Sequence, residues 1–217
     1  GTLESVGRFD RDGIPAVMDR IETTDDLAKS VVGADLVVEA VFEDLALKQS
    51  LFERLEALCP PETIFASNTS SLMPSRLSER MAHPERLVIV HFFNPAYLIP
   101  LVEIVPSPST SEETIRKVSD LLERIGKRPV RLQREATGFV ANRLQLALFR
   151  EAISIVEQGI ASPEDVDQVV RYGFGRRLAA AGPFEIFDLA GLDTILAVAS
   201  QILPAVANRD NAENPVP

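Results

Sequence analysis

A histidine and a glutamate in two apolar runs are the residues best suited to chemistry. His91 lies near the end of the run 87–93, and Glu103 lies within the run 101–105, after a Pro-bearing turn. A carboxylate in an apolar strand is costly unless it is paired, and neighbouring strands bring such side chains together. A histidine held by a carboxylate keeps one ring nitrogen as donor and the other as base. The pattern predicts either a proton-transfer pair or a satisfied core pair, and the residues alone favour neither.

A second polar group follows another apolar run. The segment 67–72, which reads Ser-Asn-Thr-Ser-Ser-Leu, begins where the run 63–67 ends. Open α/β sheets bind ligands at the carboxyl ends of their parallel strands, which makes this segment a candidate site. Clusters of Ser, Asn and Thr are also ordinary loop composition, and on spacing alone that reading is the more frequent one.

Two further polar positions have the same double reading. Asn142 stands in the first turns of a helical pattern, either as a ligand contact or as a helix-terminal polar residue. Arg176-Arg177 is either a solvated loop or a phosphate contact, and the residues do not separate the two.

The composition excludes several classes of protein. The 217 residues are 46% hydrophobic and 25% charged, which is the balance of an ordinary globular protein. A formal net charge of -10 disfavours a nucleic-acid partner, because such a chain repels phosphate backbones. One cysteine and two histidines are too few soft ligands for a zinc site, so we expect no metal.

Membrane and targeting signals are weak in this sequence. The longest uncharged stretch, 194–208, is shorter than a membrane span and is interrupted by Gln201 and Pro204. We therefore expect no membrane partner. Cys59 is the only cysteine, which fits a reducing compartment, so the predicted localisation is cytoplasmic, with the mitochondrion left open because the chain starts at Gly1 rather than Met.

Short β-rich runs alternate with helical patterns in the first part of the chain. This alternation is typical of βαβ units and a mostly parallel sheet. The predicted strands are 35–40, 63–67, 87–93, 101–105 and 128–132. The predicted helices are 44–59, ended by Pro60-Pro61, and one opened by a capping box of Thr110 and Glu113 and ended by Gly126.

The pattern becomes purely helical after about residue 134. Helices are predicted over 139–158, from Pro163 with Ser162 as its cap, and over 193–207. The predicted fold is thus an α/β domain over 1–134 followed by an all-α domain over 135–217.

Several sequence blocks together resemble the 3-hydroxyacyl-CoA dehydrogenase family. They occur in the family's order and nearly at its spacing, from about residue 20 to 200. They are Val38-Glu-Ala40 with Glu43 and Lys48, Ala66–Leu72, His91-Phe-Phe-Asn-Pro95, Leu101-Val-Glu103, Gly138–Arg143, Gly182-Pro-Phe-Glu185 and Gly191-Leu-Asp193. Other segments, such as Tyr97–Pro100 and Asn142–Gln145, look more like the lambda-crystallin and L-gulonate 3-dehydrogenase branch.

The resemblance implies an NAD-binding Rossmann-type domain, a helical domain that forms a homodimer, and a cleft between them. It also implies a role for each matching residue. His91 would be the catalytic base, Glu103 would orient it, and Ser70 and Asn142 would bind the reacting oxygen and the acyl part. Glu43, Lys48, Asn94 and Ser70 would line the NAD site.

The resemblance also implies segments that the sequence does not contain. The family's domain opens with a strand and a G-x-G-x-x-G turn, whereas the nearest pattern here, 173–178, ends in Leu and follows a helix. Residues 20–23 would be the third Rossmann strand and 36–40 the fourth, with the first two strands between them absent. We therefore expect that the sequence omits residues of a longer chain, and that a chain truly starting at Gly1 would bind NAD poorly.

Three functions follow from the resemblance. The first is NAD-dependent oxidation of a short-chain L-3-hydroxyacyl-CoA to the 3-oxoacyl-CoA, in fatty acid metabolism. The second is oxidation of a free 3-hydroxy acid such as L-gulonate. The third is a non-catalytic, crystallin-like structural dimer.

Overall fold

The computed structural model describes residues 13–206. The chain divides into two compact units, of which the first ends at Val140 and the second begins at Ala141. The first unit holds all the strands of the described residues, and the second holds only helices. The predicted succession of an α/β part and an all-α part is confirmed.

The first unit is built on one five-stranded sheet. Its strands are β1 (Leu36–Glu39), β2 (Ile64–Ser67), β3 (Leu87–Phe92), β4 (Leu101–Pro106) and β5 (Arg128–Arg131). They lie side by side in the order β1-β2-β3-β4-β5, with β1, β2 and β3 parallel, β4 antiparallel to β3, and β5 parallel to β4. Each predicted strand is present, within one residue or two of its predicted ends.

Helices precede the first strand and connect the later ones. They are α1 (Ile14–Met18), α2 (Leu27–Ser30), α3 (Leu45–Leu58), α4 (Pro74–Leu77) and α5 (Glu112–Arg124), with a 3₁₀ turn at Pro84–Arg86. The Asp44 carboxylate accepts a hydrogen bond from the Leu47 amide at 2.7 Å and so caps α3, while Pro60 cannot continue that helix.

Hydrophobic residues fill both faces of the sheet. Phe65, Leu87 and Ile89 pack with Phe52 and Leu55 of α3, whereas the alternate residues on β2 and β3 pack with α5. Successive side chains of a strand point to opposite faces, so both faces of these two strands are covered and their sequences are apolar throughout.

The second unit consists of helices only. They are α6 (Ala141–Glu157), α7 (Pro163–Tyr172), α8 (Gly175–Leu178), α9 (Pro183–Ala190) and α10 (Leu192–Ile202), followed by a 3₁₀ turn at Leu203–Ala205. The Ser162 hydroxyl accepts from the Asp165 amide at 3.1 Å, as expected for the cap of α7. The predictions for 207–217 fall outside the described residues.

Three local predictions were wrong. Ser111, not Thr110, caps α5, because the Thr110 hydroxyl donates to the Leu87 carbonyl at 2.7 Å and the Ser111 hydroxyl accepts from the Thr114 amide. Residues 20–23 form no strand, since a strand requires hydrogen-bonded pairing with a neighbouring strand. The helix predicted from 139 begins at Ala141, because Gly138 and Phe139 have left-handed backbones.

In the second unit, α8 and α9 were not predicted, and Arg176-Arg177 lies in the single turn of α8 rather than in a loop. The Glu185 carboxylate accepts from the Gly182 amide at 2.7 Å at the start of α9. This contact explains why the short apolar run that follows becomes a helix of its own.

Candidate active site

The register of β3 and β4 places His91 directly opposite Glu103. Because β4 runs antiparallel to β3, its first half lies beside the carboxyl end of β3. The Nδ1 atom of His91 is 2.9 Å from Oε2 of Glu103, and both residues are buried. A carboxylate only accepts hydrogen bonds, so in the neutral imidazole Nδ1 carries the proton and Nε2 presents its lone pair.

The free side of this imidazole faces a hydroxyl group. Nε2 of His91 lies 3.2 Å from the Ser70 hydroxyl, in the loop that follows β2. The structure thus joins three predicted site residues in one hydrogen-bonded row, from Glu103 through His91 to Ser70. The row lies where the parallel strands β2 and β3 end, which is the ligand-binding edge of an open α/β sheet.

Aromatic rings and a backbone amide surround the histidine–glutamate pair. The His91 ring makes edge-to-face contacts with Phe93 and Phe139, with ring centroids 4.8 and 5.3 Å away. The second carboxylate oxygen of Glu103 accepts a hydrogen bond from the Val140 amide at 2.9 Å. These contacts supply the partners that a buried carboxylate needs.

The loop that follows β2 and carries Ser70 is hydrogen-bonded to two strand ends through Asn68. The Asn68 side-chain oxygen accepts from the Phe92 amide at 3.1 Å, and the Asn68 amide donates to the Glu39 carbonyl at 2.9 Å. This loop therefore bridges the ends of β1 and β3 and sets the position of Ser70. Sequence reasoning assigned Asn68 no role, since nothing in its spacing separates it from an ordinary loop residue.

Lys48 lies inside the protein rather than on an open surface. Its ammonium is 2.7 Å from Oε1 of Glu39 and 3.2 Å from Oε2 of Glu43, and it donates to the Val41 carbonyl at 3.2 Å. Only 1% of the lysine side chain is exposed. Lys48 therefore forms ion pairs with two carboxylates.

Glu39 is a buried carboxylate that the sequence reasoning left without a role. Besides Lys48, it accepts from the Val41 amide and from the Ser67 hydroxyl, each at 2.6 Å. The available signal was a glutamate at the end of an apolar strand, nine residues before a lysine on the next helix. Such a residue needs a charged partner when it is buried.

Glu43 is the exposed end of this group of charges. It accepts hydrogen bonds from the Thr69 hydroxyl and, at 2.7 Å, from the Ser71 hydroxyl. Burial by itself would raise the pKa of Glu43, but the hydrogen bonds from Thr69, Ser71 and Lys48, with the charge of Lys48, lower it below its ordinary value of 4.5. The carboxylate is therefore ionised and held in one place.

Asn94 and Asn142 are the two remaining predicted site residues. Asn94 is exposed just after β3, at the start of a turn whose Ile99 carbonyl accepts from Lys127 at 3.0 Å. Asn142 is the second residue of α6, in the second unit. Their predicted roles stay predictions.

Metal-ligating and membrane-spanning features are scarce among the described residues. Within residues 13–206, no group of three or more His, Cys, Asp or Glu side chains is arranged to hold a metal ion. In the same range no single helix is long and apolar enough to span a membrane; α9 and the helical stretch 192–205 reach that length and composition only together, and they are bent by 110°.

Family models match almost the whole chain. The NAD-binding domain of 3-hydroxyacyl-CoA dehydrogenase matches residues 2–136, and the C-terminal domain of the same enzyme matches residues 138–217. The chain belongs to the 3-hydroxyacyl-CoA dehydrogenase family. Its first unit is therefore a Rossmann-type NAD-binding domain and its second the family's helical C-terminal domain, as the resemblance implied.

Relatives within the family differ in their substrates. The mitochondrial hydroxyacyl-coenzyme A dehydrogenase of Sus scrofa is 41% identical over 181 residues, covering 83% of this chain and 56% of the relative. An L-carnitine dehydrogenase of Oceanobacillus iheyensis is 42% identical over 176 residues, covering 81% and 57%.

A solved structure shows the same fold. That of a 5-formyl-3-hydroxy-2-methylpyridine 4-carboxylic acid 5-dehydrogenase, an NAD+-dependent dismutase, matches with a TM-score of 0.83 at 38% identity. It covers 87% of this chain and 61% of its own. The chain thus spans about 56 to 61% of the length of these three relatives.

Proposed function

We propose that the protein catalyses NAD-dependent oxidation of an L-3-hydroxyacyl-CoA, of short chain length, to the 3-oxoacyl-CoA. The observation that carries this proposal is the buried His91–Glu103 pair, whose imidazole faces the exposed Ser70 hydroxyl at the carboxyl ends of β2 and β3. The family supplies the reaction class, an NAD-dependent oxidation of an alcohol.

His91 acts as the base in this proposal. Its Nε2 atom accepts the proton of the substrate hydroxyl while Nδ1 stays hydrogen-bonded to Glu103. Glu103 stabilises the imidazolium that results, because a buried carboxylate beside a positive charge is strongly favourable. The Ser70 hydroxyl donates to the reacting oxygen, where negative charge develops. Asn142 supplies a second contact to that oxygen or to the acyl part.

The described residues include groups suited to binding NAD. The Glu43 carboxylate is ionised and fixed by Thr69 and Ser71, yet 41% of its side chain is exposed, so it suits the hydroxyl groups of a ribose. Asn94 and Ser70 flank the same strand ends. NAD bound here would supply the acceptor for the hydride of the carbon that carries the hydroxyl group. Lys48 acts indirectly here, by holding Glu43 in place.

A second candidate function is oxidation of a free 3-hydroxy acid. It is supported by the L-carnitine dehydrogenase relative, whose substrate is such an acid, at about the same identity as the acyl-CoA enzyme. The two candidates share the proton chemistry of His91 and differ only in what the rest of the substrate binds.

A comparison of three substrates tests both candidates. The purified protein is assayed for NADH oxidation with acetoacetyl-CoA, free acetoacetate and 3-dehydrocarnitine. We expect kcat/KM for acetoacetyl-CoA to exceed the other two values by at least about tenfold, the factor worth roughly 1.4 kcal/mol of transition-state binding. A higher value for either free acid would replace the first candidate by the second. No oxidation with any of them by a full-length protein that binds NADH would overturn both and favour a non-catalytic structural protein.

The base assignment has its own test with a matched control. His91→Gln keeps a polar side chain but removes the base, and we expect turnover to fall by about 10²- to 10⁴-fold. His83→Gln alters the other histidine, which is exposed beside Glu85, and should leave turnover unchanged. Near-normal turnover of the His91 variant would refute the assignment.

We further propose that the second unit forms a homodimer. None of the residues of α6 to α10 is buried, although these helices carry large apolar side chains such as Leu144, Phe149 and Leu196 that are at least half exposed. Apolar faces of this extent usually meet a partner. Light scattering after size exclusion should give twice the monomer mass, and a monomer mass at micromolar concentration would contradict the proposal.

A further inference from the structure

Phe139 has a backbone that its side chain disfavours. Its φ is 52°, and among residues 13–206 it is the only residue other than glycine with a positive φ. Gly138 before it has φ 74°. A residue with a Cβ atom is strained in this left-handed region, where glycine is not. Phe139 is nevertheless completely buried.

The left-handed pair directs the next backbone amide toward the candidate active site. After the turn at Gly138 and Phe139, the Val140 amide donates to Oε1 of Glu103 at 2.9 Å. The other oxygen of the same carboxylate holds Nδ1 of His91. The strained backbone therefore supplies one of the hydrogen bonds that fix Glu103 behind the imidazole.

The ring of Phe139 reaches the other member of the pair. It meets the His91 ring edge to face at 5.3 Å, and it belongs to the core cluster that includes Leu87, Ile89 and Val105. Edge-to-face packing fixes the tilt of both rings. One residue thus contacts the imidazole with its side chain while its backbone directs a donor to the carboxylate.

The presence of a ring at a position suited to glycine needs a physical reason. Glycine would relieve the strain but would leave a cavity beside the imidazole and a freely rotating turn. Strained conformations persist where the surroundings over-determine them, and they cluster at functional sites.

We propose that Phe139 is a positioning residue that holds His91 and Glu103 in register. Its ring restrains the imidazole, and its left-handed backbone keeps the Val140 amide on Glu103. The pair then stays in the state with a proton on Nδ1 and a free lone pair on Nε2. The proposal rests on the proposed function only in treating His91 as the base.

Histidine nitrogen NMR tests this directly on the whole protein without substrate. The chain has two histidines, so ¹⁵N-histidine labelling gives two rings, and the exposed His83 serves as the internal reference. At mildly alkaline pH we expect a protected Nδ1–H signal for His91. In Phe139→Leu, exchange of that proton with water should be faster by about tenfold, the size of a lost aromatic pair.

The matched control is Phe52→Leu. Phe52 is also fully buried and belongs to the same core cluster, but its aromatic partner is Phe65, 6.2 Å away. Phe52→Leu should destabilise the first unit while leaving the His91 signal as in the wild type. The milder Phe139→Met variant replaces Phe139→Leu if the latter does not fold.

Each outcome decides the proposal. Faster exchange or mixed tautomers in the Phe139 variants, and not in Phe52→Leu, would support it. His91 signals in a folded Phe139 variant that superimpose on those of the wild type would overturn it, as would a wild-type His91 that carries its proton on Nε2. Because no substrate is present, failure of the proposed function would not change this readout.

Discussion

The buried ammonium of Lys48 lends itself to a quantitative prediction about stability. Lys48→Met keeps the length of the side chain and removes its charge and its donors. Glu39, which is also fully buried, then keeps only the Val41 amide and the Ser67 hydroxyl as partners. Removing one member of a buried ion pair typically costs about 3 to 5 kcal/mol of unfolding free energy.

The hydrogen bonds of Lys48 give a similar estimate of the unfolding free energy lost in Lys48→Met. The variant loses hydrogen bonds to Glu39 at 2.7 Å, to the Val41 carbonyl at 3.2 Å and to Glu43 at 3.2 Å. Glu43 is partly exposed and can be hydrated instead, so the cost comes from the other two. A hydrogen bond to a charged group contributes about 1.5 to 3 kcal/mol, so two of them reach the range above.

Urea unfolding followed by circular dichroism measures the change. The single cysteine, Cys59, lies in the first unit, so its alkylation during unfolding assigns the transition to that unit. Lys117→Met is the matched control, since Lys117 pairs with Glu113 at 2.9 Å on the surface, and its unfolding midpoint should not move. The double variant Lys48→Met with Glu39→Gln should regain part of the loss.

Two results would refute this reasoning. A loss below about 1 kcal/mol in Lys48→Met would mean that the pair behaves like an exposed one. A double variant less stable than Lys48→Met alone would mean that the unpaired charge on Glu39 is not the source of the cost.

Two further predictions concern the first unit. Because the pKa of Glu43 is lowered, the contribution of its carboxylate to stability is complete above pH 4.5 and disappears as the pH falls through the folded-state pKa. The urea midpoints of the wild type and Glu43→Gln should therefore converge in acid. A difference between the two midpoints that stays constant with pH would contradict this. Ser111→Ala removes the cap of α5 and should lower the unfolding free energy by about 1 kcal/mol, measured by urea unfolding; no change would mean that the Thr114 amide finds another acceptor.

The strands were predictable because their sequences combine apolar β-branched residues with clear boundaries. Leu87 to Phe92 is such a run, and Pro100 and Pro106 bracket the next. The cap of α5 was not predictable in the same way. Thr110 and Ser111 are both good caps, and only the three-dimensional position of the Leu87 carbonyl decides which hydroxyl is free for the helix.

The candidate site was predictable where the free-energy cost of burying a charged side chain required a nearby partner. Glu103 in an apolar strand required a charged or polar neighbour, and His91 was the nearest one across the turn. The role suggested here for Phe139 could not be read in advance, since a buried phenylalanine after a glycine looks like the start of a helix. Its backbone conformation depends on contacts with β3 and β4, which sequence periodicity does not contain.

The antiparallel pairing of β3 and β4 affects how substrate specificity can change by mutation. His91 and Glu103 are only 12 residues apart in the chain and belong to one β-hairpin. Nearby segments of a chain find each other without a large loss of chain entropy, so this pair forms from local contacts. Mutations in distant helices can then alter which substrate is bound without disturbing the hairpin. This separation suits a family whose members act on acyl-CoA, carnitine and pyridine compounds.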